Sequence, residues 1–178
     1  MKLLTRPADA SDAAFAFAVK RAALGKYVAQ VWGWDEAVQQ AHHAADWANH
    51  PPDLVELDDV LIGTLEVVQH PDHVYIGELY LLPEYQRRGI GSELLRRVLS
   101  RADAAGLPAR LQFLKVNPVR ALYERHGFQI TGESTTHYFA ERSPILLPRA
   151  GRLTLVAADR DLPIARGVAA RSYFIPCS

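Results

Sequence analysis

The stretch Glu78-Leu-Tyr-Leu-Leu-Pro-Glu-Tyr-Gln-Arg-Arg-Gly-Ile-Gly-Ser92 holds the residues of this chain whose types and spacing point most directly to chemistry. Gly89 and Gly91 stand just before apolar residues at helical spacing, Leu94, Leu95, Val98, Leu99 and Ala102. The first N–H groups of a helix have no partner within it, and the helix dipole adds positive potential at the same end. Glycines there let the main chain approach a ligand with no Cβ between them. Such a turn suits a phosphate or pyrophosphate. Two common phosphate motifs are excluded. A P-loop needs Lys and then Ser or Thr after its second glycine, whereas Ser92-Glu93 follow here. The dinucleotide fingerprint needs a third glycine, and only Gly89 and Gly91 are present. Upstream, Glu78 is an acid in an otherwise apolar strand, so it must be satisfied by a partner or serve a function.

The elements that position these residues follow from punctuation and periodicity. Val74 to Leu82 is β-branched, aromatic or aliphatic at nearly every position and is stopped by Pro83, which predicts a strand. Before it, Leu54–Leu57 and Val60–Val68 are apolar-rich runs joined by Asp58-Asp59, a hairpin signal. With the strand ending at Leu82 they predict an antiparallel meander. After the glycine turn and its helix, Gly106-Leu-Pro108 closes the helix and Arg110–Val116 reads as a strand. A strand–helix–strand crossover makes these last two strands parallel neighbours. Lys2–Thr5 reads as a first strand stopped by Pro7, followed by a helix started by Asp9, Ser11 and Asp12 and carrying Phe15, Val19, Ala22 and Ala23. A second helical region spans about 26–49, interrupted around Gly33, with Asp35 as N-cap of its later piece and Pro51-Pro52 at its end. Asn117-Pro118 starts a short helix, Val119–His126, ended by Gly127; Phe128–Thr131 and Thr135–Glu141 close the sheet. The sum is an α+β domain over residues 1–142, with a mixed central sheet of about seven strands and about four helices.

Composition bounds the class. The chain has 178 residues, enough for one domain with a sizeable core, and 20 basic residues balance 20 acidic ones. That balance argues for neither nucleic acid nor membrane as a partner. A single cysteine, Cys177, excludes an internal disulfide framework and suits a reducing compartment. With no signal-peptide pattern and no apolar run near the ~20 residues of a membrane span, the expectation is a cytoplasmic protein.

Two motifs in this order resemble the GNAT N-acetyltransferase superfamily. Gln86-x-x-Gly89-x-Gly91, behind an apolar strand ending in Leu-Leu-Pro, resembles its pyrophosphate loop for acetyl-coenzyme A. Asn117-Pro-Val-Arg-Ala-Leu-Tyr-Glu-Arg-His-Gly-Phe128 resembles the family segment N-x-x-A-x-x-x-Y-x-x-x-G-F. The match is shifted in detail, with Ala121 four residues after Asn117 and Tyr123 six, while the spacing of Tyr123, Gly127 and Phe128 is kept. The resemblance covers about 1–142 and implies a GNAT-like three-layer fold.

It also implies a site. In the family's arrangement Leu81 and Leu82 pair with the pantetheine arm, and the backbone amides of Arg87, Arg88, Gly89, Ile90, Gly91 and Ser92 hold the pyrophosphate. The resemblance places Gln86 and Asn117 in the same acetyl-CoA site. Arg87 and Arg88 read either as auxiliary phosphate contacts or as a solvated face. An N–H at Leu81 or Leu82 would stabilise charge on the thioester oxygen. By the same resemblance the Tyr123 hydroxyl points at the coenzyme sulfur and acts as general acid; the alternative is that Tyr123 only packs its helix on the sheet. Glu78 either takes the amine proton, directly or through water, or pairs with a basic residue on a neighbouring helix. Family members vary at that position, so nothing is carried over to it. The implied activity is transfer of the acetyl group of acetyl-CoA to a primary amine of a small molecule or peptide. A module that binds acyl-CoA as a sensor, without turnover, is the alternative from another class.

The histidines have no metal-site spacing: His42 and His43 face different directions on a helix, and His70 and His73 flank a turn without thiolates or paired carboxylates. No metal is expected. Trp32-Gly-Trp34 with Asp35-Glu36 would suit the wall of a cationic acceptor site or plain core packing. Residues 143–178 depart from the family. Pro144 and Pro148 read as a linker, Arg152–Val156 as a strand, and a small helical pattern follows Asp159-Arg-Asp-Leu-Pro163. The remnant of a tandem fusion, an altered C-terminus and an arm for a homodimer all remain open for this tail.

Overall fold

The structure, a computed structural model, describes residues 2–145 and the pair Ala165–Arg166. Seven strands lie in the order β1-β2-β3-β4-β5-β7-β6: β1 Leu3–Pro7, β2 Asp53–Leu57, β3 Val60–Gln69, β4 Val74–Leu81, β5 Ala109–Leu114, β6 Gln129–Glu133 and β7 His137–Arg142. Four α-helices accompany them, α1 Ala13–Trp32, α2 Glu36–Asn49, α3 Ile90–Ala105 and α4 Arg120–Arg125. Among these seven strands every pair is antiparallel except β4–β5, which the α3 crossover makes parallel. This is the α+β mixed sheet expected from the sequence.

Successive residues of a strand point to opposite faces, so Leu54 and Val55, both with no exposure, require cover on both sides of the sheet. On one face the α3 stripe Ile90, Leu94, Leu95, Val98, Leu99 and Ala102 packs with Val55, Ile76, Leu111, Phe113 and Tyr123. On the other, α1 presents Ala16, Val19 and Val28. The hairpin signal Asp58-Asp59 is a turn with both residues left-handed, φ 49° and 66°, the conformation that matches the twist of the flanking strands.

Several boundaries differ from the sequence reading, each for a local reason. Pro7 is the last residue of β1 rather than its stop; β1 is an edge strand, where a missing N–H removes no ladder bond. α1 runs unbroken to Trp32, and the break falls at Gly33, whose φ of 78° ends the helix, not near Lys26. Gly25 inside that helix is a packing position: an added Cβ would sit 3.4 Å from the Trp34 ring. β5 stops at Leu114, and α4 begins at Arg120 because Asn117 forms a side-chain turn, its Oδ1 accepting from the Val119 N–H at 3.2 Å.

At the far end of β7, the Arg142 guanidinium holds both oxygens of Asp103 on α3 at 2.7 and 2.9 Å, and Asp103 also accepts from the Ile145 N–H at 2.8 Å. The contacts tying the sheet to α3 therefore extend slightly past Arg142. The strand expected over 152–156 lies outside the described residues. Where a helical pattern was expected after Pro163, Ala165–Arg166 forms β8, paired parallel with Val68 and Gln69 of β3. Asp53, the first residue of β2, pairs with Leu65, so the β3 edge beyond Leu65 has open backbone groups for such a pairing.

Candidate active site

The site begins with a break in pairing. β4 pairs with β5 only through Val74↔Ala109, Tyr75↔Arg110 and Ile76↔Leu111, although β4 continues to Leu81. The cause is a bulge: Glu66 pairs with Glu78 but the next β3 residue, Val67, pairs with Ile76, leaving Gly77 extra in β4. A bulge bends its strand and increases the local twist, which opens a cleft between the C-terminal ends of β4 and β5.

Hydrogen bonds show which backbone groups line the cleft. The Leu82 N–H donates to the Ile62 carbonyl at 2.9 Å, and the Leu82 carbonyl accepts from the Tyr85 N–H at 2.9 Å, so both Leu82 groups are engaged inside the protein. Groups alternate along an antiparallel pair, so Leu79 and Leu81 turn theirs toward the cleft. The Leu81 carbonyl accepts from Gln86 Nε2 at 2.8 Å. Of the expected pair, Leu81 faces the cleft and Leu82 does not; Leu79 is the other cleft-facing residue, because the bulge resets the alternation. Gln86 ties the loop to the strand end through its side chain.

Beyond a short 3-10 turn, Pro83–Tyr85, the chain enters α3 through two left-handed residues, Arg87 at φ 59° and Gly89 at φ 81°. Gly89 is the N-cap and no side chain caps the helix, so the amides of Ile90, Gly91 and Ser92 point outward together. Gly91 does not have a positive φ, and an added Cβ would meet only Leu122 and Leu81 at 3.9 Å, an ordinary contact. Neither backbone conformation nor packing requires glycine at 91. Glu93, the acid of the first turn, is drawn off the helix end by Arg96 and by Arg97 Nε at 3.0 Å. Arg88 lies over the Tyr85 ring at 5.3 Å, and among the described residues neither Arg87 nor Arg88 has a carboxylate partner.

Tyr123 projects from α4 into the α3 side of the sheet. Its ring packs on Phe113 at 5.4 Å and edge-on to Phe128 at 5.8 Å. It is buried, yet among the described residues no hydrogen bond reaches its hydroxyl. A buried polar group without a partner calls for one from outside the chain. Burial, and then the nearby Tyr75, raise its pKa well above the ordinary phenol value, so it stays protonated.

Glu78 lies on the opposite face, under α1 and α2. It is 9 % exposed, and Thr64 Oγ1 donates to its Oε2 at 3.4 Å. Burial is the main cause that raises its pKa to about 7; Lys20 opposes it, Glu66 and Asp46 add to it, and the Thr64 hydroxyl opposes it. A carboxyl with that affinity exchanges protons at neutral pH. The sequence reading missed Lys20, Thr64 and Glu66 here. The signal was present: Thr64 and Glu66 alternate on one face of an apolar strand, and Lys20 falls four residues after Ala16 on the buried stripe of α1.

The other residues singled out separate into distinct roles. Asp35 caps α2 through the Val38 N–H at 3.0 Å, and Glu36 accepts from Trp34 Nε1 at 2.7 Å. With Gly25 and Phe17 against its ring, Trp34 packs back against α1. Trp32 instead reaches His137 at the start of β7, ring centroids 6.0 Å apart, on the sheet face that carries Glu78. His43 bonds the Ala13 carbonyl at 2.9 Å, and His70 stacks on His73 at 4.4 Å beside Arg110. Among the described residues no three metal-ligating side chains converge, and no helix is long and apolar enough to cross a membrane.

The arrangement offers an amide cradle for phosphate, a strand edge for an extended arm, a proton donor above the sheet and a carboxyl below it. A sequence profile described as the acetyltransferase (GNAT) family matches residues 18–128. No curated protein matches the chain. Among solved structures, the fold is similar to PaiA N-acetyltransferase of Thermoplasma acidophilum in complex with coenzyme A, at 20% identity and TM-score 0.63, covering 80% of this chain and 99% of that one. It is also similar to the ribosomal-protein-S18-alanine N-acetyltransferase of Escherichia coli, at 14% identity and TM-score 0.61, covering 85% and 100%. A third is PH1933 of Pyrococcus horikoshii, at 16% identity and TM-score 0.64, covering 82% and 100%.

Proposed function

Because the chain belongs to the GNAT acetyltransferase family, we propose that it moves the acetyl group of acetyl-CoA to a primary amine of a small molecule or peptide by direct attack. The observation that carries the reading is the loss of β4–β5 pairing after Ile76, immediately beside the uncapped N-terminus of α3. The outward amides of Ile90, Gly91 and Ser92, with the left-handed turn at Arg87 and Gly89, bind the pyrophosphate; Arg87 and Arg88 add charge at the rim. Leu79 and Leu81 pair with the amides of the pantetheine arm as a partial extra strand. The Leu81 N–H faces the thioester oxygen and stabilises the negative charge it gains. The Leu82 N–H, bonded to Ile62, is unsuited to that role. Asn117 contributes by holding the turn into α4.

Two proton movements complete the transfer. Glu78 takes a proton from the acceptor amine, whose lone pair forms the new C–N bond as the C–S bond breaks. Tyr123 gives its hydroxyl proton to the departing thiolate. The donor and the base lie on opposite faces of the sheet, so leaving group and nucleophile do not compete for one proton carrier. Calorimetry with acetyl-CoA and a panel of primary amines assayed for free thiol test the reading. Binding with amine-dependent thiol release is the expected result. Binding without release for any amine would favour a CoA-binding module without turnover, and absence of binding would overturn the site.

A further inference from the structure

We infer that Glu66 and Lys20 are positioning residues that set, in opposite directions, how tightly Glu78 holds a proton. The inference rests on the reading of Glu78 as the base for the acceptor amine. Glu66 stands directly opposite Glu78 in the β3–β4 register, and the two side chains share the face under α1 and α2. Cβ atoms of such a pair are about 4.5–5.5 Å apart, and like charges placed there repel.

The fold makes room for this second carboxylate rather than excluding it. An added Cβ at Gly77 would fall 2.1 Å from Glu66 Oε2, so the Glu66 carboxylate fills the notch that the glycine leaves beside Glu78. Gly77 is not among the positive-φ residues, so its backbone conformation does not demand glycine. The notch does.

A cation answers the pair from the helices. Lys20 of α1 is only 6 % exposed, at a position of the buried stripe where an aliphatic residue would pack, and its Nζ lies 3.9 Å from Asp46 of α2. His43 of α2 lies within the field of both; burial lowers its pKa, so it is neutral at pH 7. From β3 come Glu66 itself and the Thr64 hydroxyl. Lys20 thus stands against Asp46, and its positive charge also reaches Glu78. Burial sets the raised proton affinity of Glu78; Lys20 pulls it down and Glu66 pushes it back up, so the two trim it in opposite directions around neutrality.

The experiment follows the Glu78 carboxyl by NMR in the full chain with isotope-labelled glutamate, using Glu78→Gln to assign its resonance. This readout needs no acceptor. The wild-type midpoint is expected near pH 7. Glu66→Gln removes a negative neighbour and should lower the midpoint, and Lys20→Met removes a positive one and should raise it, each by about one pH unit. Gly77→Ala, whose methyl displaces the Glu66 carboxylate, should act in the direction of Glu66→Gln and by less, which keeps the test available if that variant does not fold. Midpoints that stay in place, or that move the same way in the Glu66 and Lys20 variants, overturn the inference. A merely structural role would not produce opposite shifts. Unimpaired amine acetylation by Glu78→Gln would overturn its role as base without altering the titrations, so the two failures can be told apart.

Discussion

The two sides of the β4–β5 cleft are built from different materials. The side proposed to hold the coenzyme is mostly backbone: the amides that open α3, the left-handed turn at Arg87 and Gly89, and the strand edge at Leu79 and Leu81. The face under α1 and α2 is built from side chains brought from four elements, Lys20, Asp46, Glu66 and Glu78. A backbone site presents nearly the same groups whatever its neighbours are, so it suits a ligand common to a whole family. A site of converging side chains changes with each substitution, so it suits an acceptor that differs from one member to another. Tyr123 crosses this division, a side chain on the α3 side that the proposal makes the proton donor.

The sharpest way to break this comparison is Gly91→Glu. It places a carboxylate where the phosphate must meet the amides and should abolish coenzyme A binding in calorimetry. The fold should persist, since an added Cβ meets nothing closer than Leu122 and Leu81 at 3.9 Å. The Glu78 titration should be unchanged. Retained affinity would show that the cradle lies elsewhere.

Next in size, Glu78→Gln should lower kcat/KM by roughly 10²–10⁴, leaving coenzyme A affinity intact. It also has a signature in stability. Folding raises the Glu78 pKa to about 7, above the ordinary 4.5. The folded state therefore binds the extra proton, and the stability this gives is fully present below about pH 4.5 and lost as pH rises through 7. Melting temperatures should show the Gln variant gaining on the wild type across that window and levelling off above it. Parallel curves would show that the carboxyl is not buried as described.

Tyr123→Phe should be somewhat milder, lowering kcat and kcat/KM together by about 10² while stability and coenzyme affinity hold, because the hydroxyl lost has no partner among the described residues. With the Tyr123 pKa pushed upward by burial, the wild-type rate should show no alkaline limb from this residue in the accessible range. Full turnover in the Phe variant, measured where chemistry limits the rate, would leave Tyr123 a packing residue. The smallest effect is expected from truncation after Ile145, which keeps the Asp103–Arg142 and Asp103–Ile145 contacts and should leave a folded protein that binds acetyl-CoA. Loss of folding would show that the tail supplies part of the core.

Local chemistry was legible in the sequence. Gly89, Gly91 and Pro83 announce a strand end, a turn and a helix start because glycine and proline restrict the backbone wherever they occur. Asp35, Asp58-Asp59 and Gly127 mark caps and turns for similar reasons, and apolar periodicity identified the strands and helices that carry them. The α+β order and the strand–turn–helix ending in α3 followed. Tertiary structure alone decided what depended on register and on distant partners. The extra residue at Gly77 shifts the β4 alternation by one, moving the cleft-facing groups to Leu79 and Leu81 and engaging Leu82 with Ile62. The same bulge sets Glu78 opposite Glu66, while the packing of α1 and α2 brings in Lys20 and Asp46 from positions distant in sequence. A side chain's type is local, but its proton affinity depends on the charges and solvent around it, and those exist only once the sheet and helices have closed on them.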